Sequence, residues 1–490
     1  MKSISSTKIN SLLTKCLLIL CLIIFIFTTW NSVIITRDTF WTRILIIFPI
    51  IVIILLLLLL LGYIVNKYIS QISFIVLLTI LAFSIRLIWI ITIPTLIESD
   101  FEMLYNSAVQ AANGDFSFAQ GTYFTTWVYQ LGFTMYQAFI IKLFGEGAFP
   151  LKLLNVLYCT GTVLLIYLIT KKVFNEWSGR IAGLLYSLYI PSIMMTSVLT
   201  NQHLATFLFY LGFYLLIAKG LSSQYTWIFI GLTLSLGDII RPLGMLILVA
   251  VVIYIFLQGM LGQTKKVIFN SFKKLSGILI VFYLVHYVIS YAFITSGITQ
   301  YPLSNRDSLW KFVLGFNHET RGSYSDTDAA HIMSFKIGEK REAEEKRIIK
   351  ERLADKQEVL ALFKNKFALM WGDIDASPYW SLNMEGKEDL KETSLKYERY
   401  MYIATMLFGI VSLLSLIATK QKNYYYTPFC LLIIGYILIH FLIEIQARYR
   451  YFIIPSFTII QSYGIYMCYK LITKRTVTKR NNVKTSSISK

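Results

Sequence analysis

The chain has 490 residues, 56% of them hydrophobic and 15% aromatic against 15% charged. That balance excludes a soluble globular domain and a disordered tail, and it fixes a polytopic membrane protein. The net charge of +19 is explained by topology and by attraction to anionic lipids, so it does not call for a nucleic-acid partner.

A span takes about 20 apolar residues, and the sequence is read as about twelve of them. They fall at about 16–36, 44–65, 72–95, 150–170, 181–200, 204–218, 225–240, 242–258, 275–296, 400–418, 425–443 and 451–470. The first is taken as a retained helix, since its apolar run is long and no small-residue cleavage site precedes the next span. Lysine and arginine collect on the cytoplasmic side of short loops, and here every second connection is basic. Lys2, Lys8 and Lys15, then Lys67, then Lys171, Lys172 and Arg180, then Lys265, Lys266, Lys273 and Lys274, mark one face. Lys420, Lys422 and the tail from Lys470 to Lys490 complete it. With both termini inside, the opposite face receives the Asp100 loop, Asn201 to His203, Asp238 to Arg241, the stretch 297–398, and Glu444 to Arg450.

The expected fold is therefore all-α and polytopic, with interfacial helices in the first large external loop and a mixed extracytoplasmic segment before the last three spans. The expected divisions are an N-terminal transmembrane region over 1–296 with a catalytic external loop at 96–149, a soluble segment over 297–398, transmembrane helices over 399–473, and a basic cytoplasmic tail over 474–490. Two stretches are too polar for membrane. The first, about 98–146, mixes acids and glycines with Tyr123, Phe124, Trp127 and Tyr129, a composition that suits helices lying along the bilayer surface. The second contains Glu339 to Leu353, where Glu and Lys or Arg at i,i+4 spacing predict a soluble helix whose charges form a solvated face. The five cysteines lie in or beside spans without metal-ligand spacing, and the five histidines are scattered. No P-loop, glycine-rich dinucleotide fingerprint or transporter-type repeat is present.

The residues that carry chemistry sit at span ends on one face. The run Ile97 to Tyr105 places Glu98, Asp100 and Glu102 directly after a span. A chain with several spans whose first external loop opens with this acidic Ser99-Asp-Phe to Tyr105 pattern resembles the GT-C superfamily of polyprenyl-phosphate-sugar-dependent glycosyltransferases, whose members include protein O-mannosyltransferases and aminoarabinose transferases. The likeness continues through Thr196 to His203, Arg241-Pro242, and Glu444 to Tyr451 ahead of Pro455, and covers about 70–470. It departs at Asn201 to His203, where many relatives carry an acid, and that departure touches any second carboxylate and any metal it would help to hold. A divalent cation is therefore an open expectation, and no other cofactor is expected.

The chemistry asks for the same residues. Outside the cytoplasm the donor is a sugar on a polyprenyl phosphate, so the site belongs at the membrane interface. An acceptor hydroxyl needs a positioned carboxylate to take its proton, and Asp100, partly buried at a span end, is the candidate base. The phosphate leaving group needs positive charge, for which Arg448, Arg450 and Arg241 are candidates because guanidinium binds phosphate oxygens in a fork. Glu98, Asn201, His203 and Glu444 are supporting candidates, and Tyr105, Tyr129, Tyr449 and Trp127 are candidates to stack on sugar faces. Each has a structural counterpart: an exposed acid, an i,i+4 pair between Glu444 and Arg448, a snorkelling Arg450, a buried pairing of Arg241 near Asp238, a polar turn at His203, and an aromatic belt. The expected partners are a polyprenyl-phosphate-sugar donor, a glycan, glycolipid or protein acceptor, and membrane lipids. The Ile- and Lys-rich composition points to a bacterial cell membrane, with the site extracytoplasmic. A lipid-linked-glycan flippase or transporter would instead line a path with mid-helix charges, of which Arg86 is the main instance. A polysaccharide polymerase or ligase would lean on the arginines and tolerate loss of Asp100.

Overall fold

A computed structural model describes residues 2–40, 44–220, 223–419 and 424–488, with side chains described over 8–40, 46–220, 223–419 and 424–473. Lys2, Lys420, Lys422 and the basic side chains beyond 473, used above to orient the chain, lie outside those side-chain ranges. The described residues form helices and turns with no strand. In chain order the helices are α1 (Lys2–Phe40), α2 (Ile44–Tyr68), α3 (Gln71–Thr92), α4 (Ser99–Ala112), α5 (Thr122–Thr126), α6 (Gln130–Phe144), α7 (Ala148–Val173) and α8 (Glu176–Ser187). There follow α9 (Ile190–Met194), α10 (Gln202–Ala218), α11 (Thr226–Ile240), α12 (Gly244–Ile255) and α13 (Lys265–Thr295). The stretch 297–398, expected to be external, carries α14 (Trp310–Gly315), α15 (Asp326–Met333), α16 (Glu339–Arg352), α17 (Lys356–Phe367) and α18 (Ser377–Ser381), before α19 (Glu388–Ala418), α20 (Thr427–Leu442) and α21 (Ile454–Ile488).

Six helices among the described residues are long and apolar enough to cross a bilayer: α1, α2, α3, α7, α13 and α19. Four more, α10, α11, α20 and Gly244–Met260, are apolar but shorter. The expected span at 181–200 is not one helix. It ends at Ser187, restarts at Ile190 with Pro191 in its first turn, and passes into a 3-10 turn at Met195–Ser197. The break is stabilised from α3, where the buried Arg86 donates to the Ser187 and Tyr186 carbonyls at 3.1 and 3.2 Å and to Ser192 Oγ at 3.0 Å. Carbonyls freed where a helix stops inside the protein need donors. Arg86 supplies them, and so faces protein rather than a path.

α19 runs between α1 and α21. Close approach is possible because Gly464 meets the Phe408 carbonyl and Gly409 the Phe25 ring, where any Cβ would collide. At the expected cytoplasmic end, Arg180 reaches from α8 to the Val65 and Ile69 carbonyls at 2.9 and 2.7 Å, satisfying the C-terminus of α2 with positive charge.

The stretch 297–398 is docked at the other end. The backbone of Arg306 donates to Thr126 at 3.0 Å and that of Tyr129 to Ser304 at 3.3 Å, joining it to the loop 96–149. Gly315 packs on the Leu442–Ile443 backbone, where a side chain would not fit, and the buried Lys366 donates to the carbonyls of Gly315, Phe441 and Ile443 at 2.7, 2.8 and 2.9 Å. Helix α16 departs from the expected wholly solvated face. Arg341, Glu345 and Ile348, spaced i, i+4 and i+7, are buried; Arg341 pairs with Asp307, and Ile348 joins the Trp310 and Val313 cluster. Lys346, Arg347 and Glu342 keep the other side in solvent.

Candidate active site

The chain enters α4 through a pinned segment. Thr95 Oγ1 donates to the Ser381 carbonyl at 2.7 Å and lies 2.6 Å from Ser197 Oγ; Lys152 Nζ donates to the Thr95 carbonyl at 3.1 Å; and Asn383 bonds both the amide and the carbonyl of Leu96 at 3.0 and 3.1 Å. Ser99 then takes φ 59°, a left-handed conformation rare for a residue with a Cβ. Strain of this kind costs on the order of 1–3 kcal/mol and persists where surrounding contacts hold it. It turns Asp100 out at the first turn of α4. The partial burial expected of Asp100 is weaker than foreseen, since its side chain is 47% exposed.

Opposite stands the 3-10 turn Ala447–Phe452. Arg448 Nη2 lies 3.8 Å from Asp100 Oδ2, and the guanidinium is caged by rings, with its carbon 5.1 Å from the centre of Phe101, 4.9 Å from Trp380 and 5.9 Å from Tyr449. Cation–π contacts of this kind hold the fork in place. Arg448 Nε donates to Gln446 Oε1 at 2.6 Å, and Gln446 Nε2 to Glu444 Oε1 at 2.7 Å. The other oxygen of Glu444 pairs with Lys311, and the Glu444 amide donates to the Lys311 carbonyl at 2.8 Å. The i,i+4 pair between Glu444 and Arg448 is thus not formed, because the segment is extended before it enters the 3-10 turn and Gln446 sits between them.

Lys311 is the residue that sequence reasoning missed. It lies outside every motif, in a segment read as soluble, and only docking of α14 on the end of α20 brings it here. Its side chain is 33% exposed while Glu444 is 1% exposed. Burial opposes its charge, yet Tyr449 and Glu444 outweigh that and hold the ammonium above its ordinary range. Tyr129 stands beside it, its phenol pushed up to about 12 by burial, with Lys311 pulling the other way.

Arg241 closes the back of the site. Its Nη1 donates to Asn201 Oδ1 at 2.9 Å, its guanidinium lies 5.5 Å from the Tyr449 ring centre, and its buried Nε has no hydrogen-bond partner. Pairing with Asp238 does not occur; Asp238 instead accepts from the Gly244 amide at 2.6 Å and lies 3.5 Å from His286 Nε2. An orphaned buried N–H is a donor available to a bound group.

The structure therefore brings together Asp100, Asn201, Arg241, Glu444, Arg448 and Tyr449, and adds Lys311 and Trp380. Five other candidates are not part of this group. Tyr105 is engaged elsewhere, its hydroxyl accepting from the Gly147 amide at 3.1 Å within a separate apolar cluster. His203 is buried with Nε2 2.8 Å from the Met195 carbonyl and Nδ1 2.8 Å from Tyr451 Oη. Arg450 does not snorkel: it is buried, donating to Asp373 O at 2.8 Å and Asp375 Oδ2 at 3.2 Å. Glu98 forms the N-cap position of α4 without a side-chain capping bond. Trp127 packs on Tyr123, 4.9 Å between ring centres, and under α14. Among the described residues no group of three or more His, Cys, Asp or Glu side chains is placed to hold a metal ion. Asn201 spends its side-chain oxygen on Arg241 and Glu444 spends its carboxylate on Lys311 and Gln446, so the donor set around Asp100 does not fit a divalent cation.

Residues 131–291, from α6 to α13, match the family described as dolichyl-phosphate-mannose-protein mannosyltransferase. No curated protein sequence matches the chain. Among solved structures, the chain is similar to the oligosaccharyltransferase of Archaeoglobus fulgidus tethered to an acceptor peptide containing the NVT sequon, at 14% identity and a TM-score of 0.32. That match covers 81% of this chain and 56% of the oligosaccharyltransferase, so the chain spans little more than half of that protein's length. The GT-C likeness drawn from the motifs is thus supported by a family match. The matched stretch contains Asn201 and Arg241; Asp100, Lys311 and Arg448 lie outside it.

Proposed function

We propose that this GT-C-type chain is an integral-membrane glycosyltransferase that moves a sugar from a polyprenyl-phosphate carrier to an acceptor hydroxyl on the extracytoplasmic face. The observation that carries this reading is the half-exposed Asp100 carboxylate standing 3.8 Å from the caged Arg448 guanidinium, with Lys311 and Arg241 nearby around Glu444 and Tyr449. In an in-line displacement the base and the phosphate-binding cation stand on opposite faces of the sugar, so the entering donor parts this weak pair and leaves each charge to its own role.

In that reaction the acceptor oxygen forms the new bond to the anomeric carbon, and its proton passes to Asp100. The bond from the anomeric carbon to the phosphate oxygen breaks, and its electron pair remains on the phosphate. Arg448, Lys311 and the free Nε–H of Arg241 neutralise the growing charge. Direct displacement inverts the anomeric centre. Tyr449 and Trp380 border the sugar position, and Glu444 and Gln446 hold the two cations apart. No step requires a metal bound by this donor set. Undecaprenyl phosphate as carrier and an envelope glycan, glycolipid or protein as acceptor fit a bacterial cell membrane.

The flippase alternative loses its main support, since Arg86 is enclosed by carbonyls. A polymerase or ligase reading shares the arginines and differs in its indifference to Asp100. The test is linkage analysis of envelope glycans from cells lacking the protein and complemented with wild type or Asp100→Asn at equal abundance. Transfer predicts that one sugar substituent is lost, returns with wild type and stays absent with Asp100→Asn while its lipid-linked donor accumulates. Full restoration by Asp100→Asn overturns the base assignment and favours the arginine-based reading.

A further inference from the structure

In a 3-10 helix there are three residues per turn, so side chains three apart eclipse and a short element presents three ridges. The turn Ala447–Phe452 uses them for different neighbours. Arg448 and Tyr451 share one ridge, packed on Phe101 and Trp380. Tyr449 and Phe452 share the second against Tyr436, whose hydroxyl donates to the Tyr449 carbonyl at 2.8 Å. Arg450 projects from the third into the interior.

There Arg450 meets Asp375, and Asp375 has a second engagement. While its Oδ2 accepts from Arg450 at 3.2 Å, its Oδ1 accepts from the Ser377 amide at 2.8 Å, fixing the start of α18. Helix α18 carries Trp380, the ring beneath the Arg448 guanidinium. Trp380 in turn meets Phe101 edge-on at 5.2 Å, next to Asp100 in the chain. One buried carboxylate therefore ties the turn that carries Arg448 to the helix that carries the ring on which Arg448 rests. The strained hydrogen bonds of a 3-10 turn do not by themselves fix its rotation. A buried ion pair adds little net stability over an apolar replacement, so fixing orientation is the role left to it.

We propose that Asp375 and Arg450 are a positioning pair that sets the Arg448 guanidinium against the Asp100 carboxylate. Both residues are buried. The catalytic consequence rests on the transfer reading; the geometric claim stands without it.

The experiment measures both. A reporter chain carrying Asp100→Cys and Arg448→Cys in native membranes is treated with a short, water-soluble bifunctional thiol reagent, with and without Asp375→Asn. The same Asp375→Asn change, in a chain that keeps Asp100 and Arg448, is assayed for restoration of the envelope glycan. The pair predicts a clear fall in cross-link yield at matched folded abundance, and a loss of glycan transfer on the order of a hundredfold, as expected for a displacement of about 1 Å. Arg450→Lys, which keeps a charge for Asp375 but shortens the arm, retains the greater part of both. Wild-type cross-linking in Asp375→Asn overturns the proposal. Reduced cross-linking in a chain whose wild-type form restores no glycan sustains the positioning pair and removes the transfer reading instead. If Asp375→Asn does not accumulate, Asp375→Glu, which keeps the charge and lengthens the arm by one methylene, is judged by the same two criteria.

Discussion

At the scale of single residues, the candidate site depends on two side chains of opposite charge that touch weakly and on a third reached only through docking. Arg448 and Asp100 approach to 3.8 Å without a tight hydrogen bond, a weak pairing that a bound substrate can part. Arg448→Ala is expected to lower transfer by roughly 10²–10³, the range seen when one charge-stabilising donor is lost. Arg448→Lys is expected to recover only part of this, because an ammonium lacks the planar fork that the Phe101 and Trp380 cage holds. Lys311→Met is expected to weaken use of the lipid-linked donor, and it also leaves the buried Glu444 unpaired. The check is the initial rate of glycan labelling in membranes at increasing polyprenyl-phosphate-sugar. An unchanged donor dependence for Lys311→Met would remove Lys311 from the phosphate site. The roles of Arg448 and Arg450 were not separable in the sequence. They are two residues apart in one tripeptide, and what sorts them is Asp375, which lies 75 positions away. Tyr105 and His203 were misdirected for a related reason: a polar residue at a span end looks the same whether it faces the mouth or, as His203 does, a buried tyrosine.

At the scale of elements, the apolar runs fall on α1 to α3, α7, α10 to α13 and α19 to α21, while the interruptions and the polar helices between them left no such mark. The stretch 181–200 reads as one apolar run, yet it breaks between Ser187 and Ile190 because Arg86, about a hundred residues earlier, supplies donors to the freed carbonyls. Helix α16 shows the opposite error. Its charge pattern predicted a solvated face, and the structure buries Arg341 and Glu345 with Asp307. Burial, then the neighbouring Asp307, raise the Glu345 carboxyl to about 8, with Arg341 opposing them. In the unfolded chain the same group titrates near its ordinary value of about 4.3. Between these values the folded state binds more protons than the unfolded state, so stability falls as pH rises through that window. Docking of α16 is therefore expected to be firm at pH 5–6 and looser near pH 9. Limited proteolysis across 339–352 checks this, and Glu345→Gln is expected to flatten the dependence. Equal cleavage of the wild-type chain at both pH values would contradict the assignment.

At the scale of the whole molecule, the alternation of basic loops implied a membrane protein with its unusual polar residues at one end, and the packing agrees in one respect that matters. Residues from the first external loop, the α10 and α11 ends, the external stretch and the turn after α20 meet around Tyr449 and Arg448. The Lys171, Glu176 and Arg180 cluster meets the end of α2 instead. What charge counting could not supply was the docking of the stretch after α13. The stretch 297–398 is tied to the first external loop through Arg306 and Tyr129 and to the end of α20 through Lys366, contacts between segments far apart in the chain that leave no local pattern. If the site faces outward, cysteines placed at the exposed positions Glu102 and Glu388 react in intact cells with a membrane-impermeant thiol reagent. Cysteines at the exposed positions Lys172 and Lys265 react only after the membrane is opened. The native cysteines set the background, and Cys21, Cys159 and Cys430 are buried. Two outer positions are needed because Glu102 reports the Asp100 loop while Glu388 reports the start of α19, and an odd number of crossings between them would label one and spare the other. Such a split would put the docked stretch and the Asp100 loop on opposite sides, which their backbone hydrogen bonds forbid. Labelling of Lys172 together with Glu102 from outside would sink the single-faced site, and with it transfer from an extracytoplasmic lipid-linked donor.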